Sequence, residues 1–190
     1  NVATLPEYRH RGLIRRLVTE FHKRVADKGY DLSIIKGIPY FYRQFGYEYA
    51  IPLDPETRIK IHQIPDYEPK YDIRPFAGND IPKAMRLLKQ AQEKFYVHSI
   101  RDEKIWKMQQ ETHMAEDPPK FEGYAIEENG EMIAYFRIVD NPKDKELVMR
   151  EISEIDQRVA QSVLRFLKDR GKQRGHETLV VLASHLDSLT

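Results

Sequence analysis

The chain has no cysteine in its 190 residues. That excludes a disulfide framework and thiolate chemistry, and makes the cytoplasm the expected location. Long apolar runs are also missing. The longest, such as LVVLA (Leu179 to Ala183), fall far short of the roughly 20 residues of a membrane span. No charged-then-apolar segment of the signal-peptide kind opens the sequence. The seven histidines are scattered, with no pair at i, i+4 and no cysteine beside them, so no metal is expected. No Gly-x-Ser-x-Gly, Walker or Rossmann pattern occurs. An excess of one charge sign is lacking too: the net charge is +1, which argues against a protein that coats nucleic acid.

What charge imbalance exists is local. Residues 1–70 carry 12 Lys+Arg against 9 Asp+Glu, and residues 71–190 carry 19 against 21. The N-terminal surplus centres on YRHRGLIRRL (residues 8–17), where Arg9, His10, Arg11, Arg15 and Arg16 surround Gly12. The run that follows repeats Leu13, Ile14, Leu17, Val18, Phe21 and Val25 at helical spacing and stops at Gly29. A turn entering a helix leaves about four backbone N–H groups without internal partners, and the helix dipole adds positive potential there. A glycine lets an anion approach the backbone closely. On residue chemistry alone, three readings stand: a pyrophosphate turn, an idle solvated basic face, and a nucleic-acid patch.

The remaining periodicities predict an α/β chain. NVAT (residues 1–4) reads as the tail of a strand begun earlier, so the chain is expected to lack its original beginning. Strands are expected at Tyr30 to Gly37 and in YEYAIPLD and TRIKIHQI, with an aromatic turn at Ile38 to Gly46. The proline-bearing PDYEPK (65–70) reads as a linker between domains 1–64 and 71–190. Beyond it come a strand in YDIRPF, helices at about Ile81 to Phe95 and Asp102 to Met114, and two strands around an Asn129–Gly130 hairpin. A strand in KELVMREISEI, a helix in DQRVAQSVLRFLKDRGKQRG and a strand in ETLVVLAS close the order. The strand–helix–strand segment occurs twice, which predicts two related α/β units.

VATLPEYRHRGLIRRL resembles the acetyl-CoA-binding segment of the GCN5-related N-acetyltransferases (GNAT), whose pattern is Arg/Gln-x-x-Gly-x-Gly/Ala. Arg9 begins the pattern, Gly12 fills its glycine, and Ile14 departs from its last position in a way the enhanced-intracellular-survival (Eis-like) branch tolerates. GIPYFYRQFGYEYA resembles that branch's next segment, Tyr-x-Arg-Phe-Gly-Tyr. The resemblance covers about the first 54 residues. It implies tandem GNAT units with mixed sheets flanked by helices, the first unit lacking its N-terminal half. It implies acetyl-CoA as cosubstrate, no metal, and acetyl transfer to a primary amine of a small molecule or protein. Val2, Ala3 and Thr4 would meet the pantetheine arm. Arg9, His10, Arg11, Gly12, Leu13, Ile14 and Arg15 would cradle the pyrophosphate, Gly37 and Ile38 would lie beside the cofactor, and Tyr42 would be the general acid, tuned by nearby Arg43. No general base is assigned, and a homo-oligomer is left open.

The second unit follows the same element order but carries ISEIDQRVAQSV where the phosphate turn should be. It has no glycine there, and Glu154 and Asp156 would repel a pyrophosphate, so it is expected to be degenerate. The rivals to a transferase are an acyl-CoA-binding protein without catalysis and a nucleic-acid module using Arg9 to Arg16.

Overall fold

A computed structural model of the chain describes residues 3–35, 38, 40–50, 56–96, 98–111 and 121–182. The chain divides into two compact units, Asn1–Pro52 and Leu53–Thr190.

In the first unit a short 3-10 turn, Pro6–Tyr8, leads to Gly12, and helix α1 spans Leu13–Asp27. A second 3-10 turn, Phe41–Phe45, is closed by Gly46 at φ +86°. The helix matches its periodicity. The strands expected before and after it do not form among the described residues: Ala3, Thr4, Leu32–Ile35 and Tyr47–Ala50 carry no regular structure. A strand needs a neighbour for its N–H and C=O groups, and none is paired here. None of the described residues of this unit is fully buried. Leu17 is 60% exposed, and Leu32 and Ile34 lie open as well.

The second unit is built on one sheet. Its strands are β1 (Thr57–Lys60), β2 (Asp72–Pro75), β3 (Phe121–Glu128), β4 (Glu131–Asn141), β5 (Glu146–Ile152) and β6 (Thr178–Val181). They lie in the order β1-β6-β5-β4-β3-β2, antiparallel except for β5–β6. A parallel pair needs a crossover, and helix α4 (Gln157–Gln173) supplies it. The helices α2 (Ile81–Gln92) and α3 (Glu103–Glu111) precede β3. Asn129 and Gly130, at φ +53° and +80°, turn β3 into β4 as their sequence requires.

Alternation along the strands gives each face its own core. Ile126, Phe136, Ile138, Leu147 and Met149 pack with Val163 and Leu167 of α4. Ala125 and Tyr135 pack with Ile81 and Ala84 of α2 and Trp106 of α3.

Residues 56–64 lie in the unit Leu53–Thr190. β1 pairs with β6, from Thr57 opposite Val181 to Lys60 opposite Thr178. The chain then leaves strand geometry in a 3-10 turn, Ile61–Gln63, instead of continuing the expected alternation. The cause is a clasp on α4. Ile61 lies over Gly171, whose missing side chain makes the space. Lys168, buried, donates from Nζ to the Ile64 carbonyl and to Asp66, each at 2.6 Å. Removing the ammonium with Lys168→Met strands a buried carbonyl, which costs about 1–3 kcal/mol. The urea midpoint of the second unit falls accordingly.

At the opposite edge, Arg74 grips Asp80 through two bonds of 2.7 and 2.8 Å and also reaches Glu127 at 2.8 Å. Asp80 in turn accepts the Ala77 N–H at 2.7 Å, fixing the entry to α2. The Arg74 hydrogen bonds, against the opposing effect of burial, hold the Asp80 carboxyl below its ordinary value of 3.8. A carboxyl depressed in the folded state stabilises it above the unfolded value, about 3.9. That contribution is lost as pH falls through the lower folded value. Asp80→Asn is expected to cost about 2 kcal/mol at neutral pH and to flatten the loss of stability on acidification below about pH 4, read by denaturant melts across pH.

Candidate functional site

The basic turn before α1 is shaped by two left-handed residues. His10 has φ +60° and Gly12 has φ +69°, with Arg11 between them. Alternation of this kind turns successive N–H groups toward one concave side, the geometry that holds anions in phosphate loops. Gly12 is the N-cap of α1 and offers no side-chain cap, so the helix starts with its first donors free for another acceptor. A Cβ at Gly12 would meet nothing within 4 Å, so the space beside the backbone is open.

Thr4 and the whole run Arg9 to Arg15 line one cavity of about 520 Å³, closed on its other side by Phe41, Gln44 and Phe45. Ala3 faces a neighbouring cavity of about 310 Å³ with Thr4, Leu13, Ile14 and Leu17. Val2 and Gly37 lie outside the described residues. Ile38 and Tyr42 line a third cavity of about 160 Å³ with Ser33, Tyr40, Tyr47 and Tyr49. The sequence-derived site residues are thus distributed over adjoining cavities of one unit. Tyr42 and the basic turn meet only through the Phe41–Phe45 turn.

The arginines do not act alike. Arg9 donates weakly from Nε to the Thr4 carbonyl at 3.4 Å, and Arg11 stands over the Tyr8 ring at 5.5 Å. Both are exposed and offer donors to the cavity. Arg15 reaches across the cavity to the aromatic turn. It donates to Gln44 Oε1 at 3.0 Å and to the Gln44 carbonyl at 3.5 Å, and stacks over Phe45 at 5.2 Å. Gln44 passes its own amide hydrogen to the Phe41 carbonyl at 3.0 Å. Arg15 therefore joins the anion turn to the aromatic turn. Gln44 stands where the motif Tyr-x-Arg-Phe-Gly-Tyr has its arginine, a departure in this chain; its place between the two turns is set by contacts 29 positions apart.

Tyr42 sits half-buried in a tyrosine-rich corner. Its ring meets Phe41 edge-on at 5.1 Å and Tyr47 edge-on at 6.1 Å. The Tyr47 hydroxyl is 2.8 Å from Ser33 Oγ, and the Tyr49 hydroxyl accepts the Tyr40 N–H. Arg43 pairs with Glu48 at 3.2 Å, both side chains being more than half exposed.

In the second unit the start of α4 is closed. The Asp156 carboxylate accepts the Val159 N–H at 2.8 Å, taking the donor that an anion would otherwise use. No group of metal-ligating side chains occurs among the described residues.

Residues 1–50 match the family model of the acetyltransferase (GNAT) domain. The whole chain has the fold of a GCN5-related N-acetyltransferase from Anabaena variabilis, with a TM-score of 0.73 at 19% identity over 100% of this chain and 48% of that one. A GCN5-related N-acetyltransferase from Kribbella flavida gives 0.68 at 18% identity, over 98% and 45% of the two chains. A probable N-acyltransferase from Enterococcus faecalis gives 0.67 at 18% identity, over 95% and 45%. The chain spans about half the length of each of these structures. No functionally curated protein matches it. No helix among the described residues is long and apolar enough to cross a membrane.

An alanine at Gly12 must adopt a left-handed backbone at a cost of about 1–2 kcal/mol, with no clash to add. Amide exchange in the first turns of α1 is expected to quicken about tenfold in Gly12→Ala, and by less in Gly12→Asn, since asparagine tolerates that conformation.

Proposed function

We propose that this chain belongs to an acetyl-CoA-dependent N-acetyltransferase of the tandem-GNAT, Eis-like branch, which moves an acetyl group from the thioester to a primary amine. The observation that carries the reading is the uncapped, doubly left-handed turn at His10 and Gly12, opening on a 520 Å³ cavity inside the segment that matches the acetyltransferase domain. In this reading the first unit is the later part of the catalytic domain. A preceding part of the fold covers the apolar side chains that lie exposed here, such as Leu17 and Ile34. The second unit is a degenerate copy, its helix start occupied by Asp156.

The cavity suits a pyrophosphate: open backbone at Gly12, free helix donors, and the Arg9 and Arg11 side chains at its edge. Ala3 and Thr4 would follow the pantetheine arm, and Ile38 would flank the acyl end. Arg15 would hold the aromatic turn in register with the phosphate turn through Gln44, and its remaining donors would serve the pyrophosphate in the cavity that it lines.

Acetyl-CoA, when bound, supplies an activated acyl carbon. The chain's own residues orient it, and the Tyr42 hydroxyl donates its proton to the departing sulfur, so that a thiol leaves in place of a thiolate. The acceptor is a primary amine of a small molecule or of a protein.

Calorimetry with acetyl-CoA tests the binding half of the reading. Micromolar binding is expected, weakened at least tenfold, about 1.4 kcal/mol, by Gly12→Asp, because a carboxylate beside the turn repels the phosphates. Equal affinity in the two proteins overturns it. Tyr42→Phe tests the chemical half. The acetyl transfer rate should fall by about two to three orders of magnitude with acetyl-CoA affinity unchanged. Unchanged transfer removes Tyr42 from catalysis, and binding without transfer in the parent protein leaves an acyl-CoA-binding protein.

A further inference from the structure

The second unit holds a buried charge that nothing in the acetyltransferase reading uses. Arg137 lies on β4, on the face covered by α2 and α3, and is 2% exposed. Its guanidinium carbon lies 5.5 Å from the centre of the Trp106 ring and 4.5 Å from that of Phe121, within reach of cation–π attraction. One of its terminal nitrogens, Nη1, donates to Gln109 Oε1 at 2.9 Å. The other edge, Nε together with Nη2, is buried and has no partner among the described residues.

The surroundings cannot serve that edge. Glu151, opposite Arg137 in the β4–β5 register, is committed through Oε1 to Arg101 at 2.9 Å and to the Tyr135 hydroxyl at 2.7 Å. Its Oε2 stands 3.8 Å from Arg137 Nη1. Gln109 Oε1 already accepts from Arg101 as well, at 3.2 Å. Arg101 Nε, Trp106 Nε1 and Gln110 Nε2 are likewise buried donors without acceptors. Among the described residues the cluster thus has two guanidinium charges against one carboxylate, and a surplus of N–H groups against acceptors. Buried polar groups in folded proteins are almost always satisfied, and an unpaired buried charge is among the least tolerated features of a core. Burial accordingly pushes the Arg137 pKa down, although Glu151 opposes the shift. The rim of the cluster reaches solvent through Glu151, 21% exposed, and through half-buried Gln110 and Phe121.

We propose that Arg137 is the base of a carboxylate-binding site in the second unit, distinct from the turn at Gly12. The Nε–Nη2 edge of a guanidinium presents two parallel donors that match the two oxygens of a carboxylate. The free N–H groups of the cluster supply further donors, and the two rings lie within cation–π reach of the fork. The ligand is a small molecule bearing a carboxylate, which balances the cluster's charge and satisfies its donors together.

Trp106, the one tryptophan of the chain, stands 4.4 Å from the Arg101 guanidinium and reports the cluster directly. Its fluorescence is followed during titration of the whole chain with sodium acetate, sodium phosphate and sodium chloride at matched ionic strength. A saturable change with acetate and none with chloride is expected. Arg137→Lys, which keeps the charge and loses the fork, should weaken the acetate response at least tenfold. The thermal midpoint of the unsubstituted protein should rise with acetate over chloride, by mass action, so the outcome does not depend on the variant folding. Acetate changes that track chloride, or an Arg137→Lys titration that matches the parent, overturn the site and leave water as the acceptor. Saturation by phosphate alone overturns the carboxylate assignment. None of these readouts uses acetyl-CoA, so failure here leaves the proposed transferase untouched, and failure there leaves this site standing.

Discussion

Every α-helix starts with backbone donors that its own turns cannot satisfy, and the chain meets this constraint in opposite ways. At α3 the Asp102 carboxylate accepts the Ile105 N–H at 2.8 Å, and at α4 Asp156 accepts that of Val159 at the same distance. A negative side chain there answers both the free donor and the helix dipole. At α1 the same position is Gly12, without a side chain, and Arg9, Arg11, Arg15 and Arg16 surround it. An exposed helix start without a side-chain cap gives its donors to water, and positive charge gathered round it opposes the helix dipole, so an anion there is favoured on both counts. That contrast between the first helix and the last is what supports the proposed phosphate site at Gly12.

The rest of the first unit serves that turn. Arg15 reaches Gln44 and Phe45 across the cavity, and so couples helix α1 to the Phe41–Phe45 turn. The coupling matters because the aromatic turn carries Tyr42. A residue grouped by sequence with the phosphate ligands thus also links two segments, and it lines the same cavity as Arg9 and Arg11. The contact follows from helix geometry: one position along from Ile14, the side chain projects to the flank where the aromatic turn lies.

Legibility in the sequence followed the range of the interactions. Signals confined to a few neighbours were readable: the Asn129–Gly130 hairpin, the apolar stripe of α1, and Gly12 as the special residue of its turn. Signals that depend on a distant partner were not. Residues 57–60 alternate as a strand should, yet nothing local reveals that they border β6, or that Lys168, more than a hundred positions on, clasps the segment that follows. Pro65 and Pro69 break the periodicity, while the tie to Asp66 between them comes from a side chain on α4 with no local sign. The strands expected in the first unit do not form among the described residues for the same reason, since a strand is a relation between two segments. The site obeys the rule too. Gly12 announces itself by conformation and Tyr42 by its motif, whereas the Arg15–Gln44 bridge has no local mark.

Arg137 had one mark, an arginine set in the otherwise apolar run MIAYFRIV, and alternation alone gives it a benign explanation as an outward-facing polar position. Register removes that explanation. Tyr135 and Arg137 share a face of β4, that face is covered by α2 and α3, and the charge is therefore enclosed. Enclosure might have been neutral had Glu151 formed a two-pronged pair with it, but Arg101 and Tyr135 hold one carboxylate oxygen and the other stands too far from the fork. A core under selection for stability alone would replace such a guanidinium with a leucine or methionine of similar volume, which commonly raises stability. Two arginines sharing one carboxylate beneath a tryptophan are a costly arrangement for a unit whose sheet and two apolar cores already hold it together. The second unit thus caps the start of α4 with Asp156 while leaving buried donors under α3 without acceptors among the described residues, and stability of the fold alone gives no reason for the second arrangement.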